Sequence, residues 1–298
     1  MEIFCLFSNQ KSFCTEKLAK KIISGEKGMH QVNYAFETGA ATHQGCVRDH
    51  NEDSFLARPA AGLWLVADGM GGHKAGDFAS HAIAESAQWT GFPNSAMDLK
   101  NRFIDRLVIA HEDIRNQSAK LDGATVGATV VALLAFDQHF ACIWSGDSRI
   151  YLMRGDALQQ MTTDHTEAME LLREGAITKE EAEHWPRKNV ITRAIGVSDM
   201  PMTDENYGVL QLGDVFLLCS DGLTGHVTDD EIAEILQEYE AQEACDRLIE
   251  LTLSRGAKDN VTVLVVRCLP SDPESDADAP TNPGYGPPIT MHDWKAED

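Results

Sequence analysis

Two stretches of one design constrain this 298-residue chain more than anything else in it. Leu63-Trp-Leu-Val-Ala runs into Asp68-Gly69, and Val215-Phe-Leu-Leu-Cys-Ser runs into Asp221-Gly222. Each run is apolar, too short for a helix and stopped by a carboxylate followed by glycine, which predicts a buried strand ending at a turn. His139 to Ser145 leads likewise into Gly146-Asp147, and Asp259 opens the run Val261–Val266. Strand ends can converge on one rim of a sheet stack. Carboxylates that meet there without thiolate or imidazole partners suit a hard cation, magnesium or manganese.

The acidic balance narrows the partners. A net charge of -22 gives no basic face for nucleic acid or an anionic membrane, so neither is expected as a partner. No apolar run approaches the roughly 20 residues that span a bilayer. The N-terminus has no basic segment ahead of its short apolar opening, Ile3 to Phe7, and no cleavage-like site. Seven cysteines are scattered without a CxxC pair, which fits a reduced, cytoplasmic chain. None begins the Cys-x5-Arg loop of a thiol phosphatase.

Residues 1–30 read as an N-terminal extension, residues 31–269 as the folded domain, and 270–298 as a disordered acidic, proline-rich tail. Within the domain, strands are expected at Val32–Ala41, Ser54–Ala57, Thr129–Phe136, Phe140–Trp144, Arg149–Met153, Val215–Cys219 and from Val261. Helical spacing marks Ala75–Trp89, Ala96–Leu121, Thr166–Glu183, Asp229–Tyr239 and Gln242–Ser254. Runs of strands followed by runs of helices predict an α+β layering with antiparallel sheets, not a βαβ repeat.

An Asp-Gly at a strand end is ordinarily just a turn. Here the pairs keep specific company, in order: Arg48-Asp-His-Asn51-Glu52-Asp53, Asp68-Gly-Met-Gly-Gly, Gly146-Asp147-Ser148-Arg149, Ser220-Asp221-Gly222 and Asp259-Asn260. This ordered set resembles the metal-dependent PPM-type (protein-phosphatase-2C-like) serine/threonine phosphatases of bacteria, from about Val32 to Cys268. The resemblance implies a four-layer α-β-β-α sandwich with two central antiparallel sheets flanked by helices. It implies two manganese or magnesium ions, with a third in bacterial members. Asp68 would bridge the pair, the Gly69 carbonyl and Glu52 would serve one ion, Asp221 and Asp259 the other, and Asp147 with Asp221 the third. Asp53 would hold ion-bound waters from behind. Arg48 would grip the substrate phosphate, and the expected substrates are phosphorylated proteins, made by a bacterial kinase of the eukaryotic type. A monomer is expected.

Two departures stand out. Met70 follows Asp68-Gly69 where animal members of the family carry a histidine, so the leaving group must be protonated otherwise, by water, His73 or His50. Ala128 replaces the first threonine of Gly-Thr-Thr. Residues 166–188 correspond to the family's mobile flap beside the cleft. Two rival readings stay open at this point: a phosphatase acting on anti-sigma antagonists, and a pseudophosphatase scaffold. The second is opposed by the presence of every matched acid.

Overall fold

The computed structural model describes residues 34–71, 74–271 and the strand Ile289–Thr290, which belong to one compact unit. The N-terminal extension, His73 and most of the tail lie outside the described residues.

A five-stranded sheet has the order β1 (Tyr34–His43), β11 (Val261–Pro270), β10 (Val215–Cys219), β7 (Arg149–Arg154), β8 (Ala157–Gln160). The second sheet runs β12 (Ile289–Thr290), β2 (Asp53–Arg58), β3 (Leu63–Met70), β5 (Val130–Phe136), β6 (His139–Ser145), β9 (Asp204–Val209), with β4 (Gly127–Ala128) beside the end of β3. Every pairing is antiparallel.

Why the strands are apolar throughout follows from what covers them. Leu63, Leu65 and Ala67 of β3 pack toward α1 (Lys74–Gln88) and α2 (Ala96–Lys120), beside Ile83, Leu99, Phe103 and Leu107. Trp64 and Val66, on the opposite face, meet Phe216, Leu218 and Leu264 between the sheets. On the far side Leu217, Val263 and Val265 pack on α6 (Asp229–Glu238) and α7 (Ala241–Ser254) through Ile232, Leu236 and Leu248. A strand buried on both faces has no use for polar alternation. These three apolar layers make the expected four-layer sandwich.

The expected single helical segment at Thr166–Glu183 is two short helices, α3 (Glu167–Arg173) and α4 (Lys179–Glu183). Gly175, at φ +72°, ends the first, and a Thr178–Glu181 capping box opens the second. A further one-turn helix, α5 (Asp221–Thr224), follows β10 directly. Four strands went unforeseen, the two-residue β4 and β12 and the longer β8 and β9. β8 and β9 are edge strands with an alternating, polar pattern, and β9 carries Asp, Glu, Asn and Gly, residues that read as a turn. The last strand also continues to Pro270, one residue past the expected domain end, and Ile289–Thr290 of the expected disordered tail pairs with β2. No helix among the described residues is long and apolar enough to cross a membrane.

Candidate metal centre

Antiparallel order puts every candidate acid at one end of the sandwich. Asp53 opens β2 directly opposite Asp68 near the end of β3, and Asp259 lies just ahead of β11. Asp221 opens α5 where β10 ends, and Asp147 sits in the turn from β6 to β7. An open cleft of 540 Å³ at this end is lined by Arg48, His50, Glu52, Asp68, Gly69, Met70, Asp147, Asn189, Asp221 and Asp259. Asp53 is not on its wall. That side chain is fully buried, behind Asp68.

The turns are held by small polar groups. Thr129 donates its backbone N–H to the Asp68 carbonyl at 2.8 Å, and its Oγ1 accepts from the Asp68 N–H at 3.2 Å. The same Oγ1 lies 2.7 Å from Ser148 Oγ, tying the Asp68 strand to the Asp147 turn. Ser220 Oγ donates to Asp53 Oδ2 at 2.8 Å and accepts from the Thr262 N–H. Arg149 forks onto Asp164 with its closest contact at 2.7 Å, anchoring β7 to the root of the flap. Backbone approach is tight as well: a Cβ on Gly222 would sit 1.9 Å from the Asn260 carbonyl oxygen, so only glycine lets α5 close on the Asp259 turn.

The electrostatics of this cluster are those of crowded anions. Asp68 is pushed well above the carboxylate range, by burial first and then by Asp53, Asp221, Asp147 and Asp259. Four neighbouring aspartates act on this one carboxyl. Burial raises Asp53 to about 7, against hydrogen bonds from Thr262 and Ser220, and raises Asp147 to about 7 with Asp221 and Asp164 adding to it. Asp221 is raised by burial and Asp259, while a hydrogen bond with Asp68 opposes the shift. Arg48 pairs with Asp259 at 2.8 Å, not with Asp49 or Glu52, and that hydrogen bond holds its charge more firmly still.

Whether such a set fits divalent cations can be tested on its own atoms. Asp53 Oδ1 is buried with no hydrogen-bond partner, a cost of about 1–3 kcal/mol unless positive charge lies near. The cleft-facing acids are hard oxygen donors without sulfur, the chemistry that magnesium and manganese select. Among the described residues, however, no three such groups surround one point as ligands. Asp259 is turned to Arg48. The donor set fits in chemistry and burial.

Sequence reasoning named Glu52, Asp53, Asp68, Asp147, Asp221 and Asp259 but not Asp49, which also lines the cleft, nor what holds the turns: Thr129, Ser148, Ser220 and the Asn260 carboxamide. The available signal was a small hydroxyl or amide flanking each Asp, which reads as ordinary turn chemistry.

Known proteins share this arrangement. The family described as Protein phosphatase 2C matches residues 30–171. The serine/threonine phosphatase stp of Listeria innocua is 36% identical over 235 residues, covering 76% of this chain and 93% of that protein. PppA, a key regulatory component of T6SS in Pseudomonas aeruginosa, superposes with a TM-score of 0.73 at 38% identity, covering 80% of this chain and 99% of that one. The catalytic domain of the serine/threonine phosphatase PstP, in complex with two manganese ions, gives a TM-score of 0.70 at 35% identity, covering 80% and 100%. With a shared fold and relatives matched over nearly their whole length, this chain belongs to the protein phosphatase 2C family of serine/threonine phosphatases.

Proposed function

We propose that this chain removes phosphate from phosphoserine and phosphothreonine in proteins, as a cytoplasmic monomer opposing a serine/threonine kinase, with two manganese or magnesium ions and room for a third. The observation that carries the reading is the convergence of Asp53, Asp68, Asp147, Asp221 and Asp259 on one end of the sandwich, four of them with carboxyls raised by burial and mutual repulsion.

Asp68, the Gly69 carbonyl, Glu52, Asp221 and Asp259 would hold the pair of cations, and Asp147 with Asp221 the third. Such ions supply the charge that makes water a nucleophile near neutral pH and offsets the charge of the phosphate. Asp53, behind the wall, orients what Asp68 presents and adds its charge from the rear. Arg48, half exposed on the cleft rim, exchanges Asp259 for two phosphate oxygens and fixes the ester for in-line attack. Met70 lines the cleft and carries no proton to give; His50 lines it too, and can hold one for the leaving alkoxide.

The test is phosphate release from a phosphothreonine peptide by the purified protein, with manganese and with chelator, beside Asp221→Asn. Turnover that needs manganese and falls at least a hundredfold in the variant is the expected result. No turnover at all leaves a binding scaffold in its place, and turnover indifferent to chelator overturns the metal-dependent mechanism.

A further inference from the structure

The loop that carries Arg48 and Glu52 has no secondary structure of its own between β1 and β2, yet it must present a phosphate-gripping guanidinium within reach of Asp259. One side chain organises it. Asn260 is buried, and its carboxamide makes three hydrogen bonds, all to this loop. Oδ1 accepts from the Glu52 N–H at 2.8 Å, and Nδ2 donates to the Gln44 carbonyl at 2.9 Å and the His50 carbonyl at 2.8 Å. The chemistry fixes which end is which: reversing the amide would set an oxygen against two carbonyls and an NH₂ against an N–H.

The Glu52 peptide is gripped from its other side too, its carbonyl accepting from Gly69 N–H at 3.1 Å. Gly45 packs where a Cβ would meet the Asp259 carbonyl oxygen at 2.2 Å, and Cys46 N–H donates to the Ala257 carbonyl at 2.8 Å. The loop is therefore sewn to residues 257–260 at both ends and across its middle. Asp259 N-terminal to Asn260 faces the cleft, while Asn260 faces the loop, so consecutive residues serve the cation side and the phosphate side of one site.

On the reading of this cleft as a phosphatase site, we infer that Asn260 is a positioning residue. Its carboxamide sets the 44–52 loop so that Arg48 meets the substrate phosphate, and it touches no reacting atom itself. Asparagine is required, since only a group with one acceptor and two donors satisfies an N–H and two carbonyls at once. Asn260→Asp keeps the shape, removes both donors and sets a carboxylate oxygen against two carbonyl oxygens.

A double-mutant cycle tests this, on the full chain at saturating manganese with a phosphothreonine peptide: wild type, Arg48→Ala, Asn260→Asp and both together. Asn260→Asp is expected to raise KM about tenfold, the scale of a misplaced binding group, and to lower kcat by much less. In the Arg48→Ala background the same change should alter KM less than twofold, because no guanidinium is left to place. Multiplying KM effects, or an unchanged KM in Asn260→Asp, would overturn the inference. Hydrogen exchange on the wild-type protein gives a second measurement that needs no variant to fold. The Glu52 amide should exchange as slowly as strand amides, and exchange at exposed-loop rates would also overturn it. A wild type without turnover would sink the phosphatase reading alone, and the Glu52 amide would still judge Asn260.

Discussion

The rear and the rim of the acid cluster carry the same residue type in opposite electrostatic states. At the rear, Asp53 is fully buried, with one oxygen unpartnered and its carboxyl raised to about 7. At the rim, Asp259 keeps 40% of its side chain in solvent and is paired with Arg48 at 2.8 Å. Water and a mobile guanidinium satisfy the second, whereas hydroxyl dipoles satisfy the first. The rear is therefore built for a permanent positive charge, and the rim for an exchangeable one.

The largest effect that would break this comparison comes from Asp68→Asn. Removing the acid that the neighbouring aspartates crowd most should lower manganese-dependent turnover by about a hundredfold or more, the scale of losing a side chain that supports a cation site. The same change should leave the melting temperature in chelator equal or higher, because it removes like-charge repulsion from a buried site. A large drop in that temperature would mean that Asp68 holds the fold by its own charge, and rear and rim would no longer differ in kind.

Arg48→Ala is the smaller perturbation, and it sharpens the rim. KM for a phosphopeptide should rise tens of fold while the melting temperature barely moves, since an ion pair this exposed contributes about 0–1 kcal/mol. Arg48→Lys should recover only part of the KM, because an ammonium cannot take two phosphate oxygens in a fork. Full recovery by lysine would show that charge alone, without planarity, is what the rim supplies.

How much of this was legible beforehand follows the same division. Asp68, Asp147 and Asp221 announced themselves because each ends an apolar run, and Asp259 because it precedes one, and the layering followed from strands with no polar face, as at Leu63–Ala67. What escaped was relational. That Arg48 pairs with Asp259, 211 positions away, depends on β1 and β11 being neighbours, which no local pattern encodes. Strand β9 was invisible because an edge strand is chosen for solubility and twist, so its Asp, Glu, Asn and Gly look like turn residues. Asn260 stood in plain sight within its motif, but its partners at Gln44, His50 and Glu52 exist only once the sandwich closes.

The smallest expected effect concerns pH, and Asp53 at the rear carries a share of it. Asp53 has a folded-state pKa of about 7 against an unfolded value near 4, so the folded chain binds the proton more tightly than the unfolded one. Its contribution to stability is fully present below about pH 4 and is lost as pH rises through 7. In chelator, the melting temperature should therefore fall by a few degrees between pH 5.5 and pH 8, at about 2–4 °C per kcal/mol for a domain of this size. Asp147, raised to about 7 as well, adds in the same direction, but solvent reaches it and discounts its share. Manganese replaces the proton as the counter-charge, so its stabilising shift should be larger at pH 8 than at pH 5.5. Asp53→Asn should make the slope shallower, the remainder belonging to Asp68, Asp147 and Asp221, whose carboxyls burial also raises. A slope unchanged by Asp53→Asn would place the proton elsewhere and remove the ground for treating rear and rim as different sites.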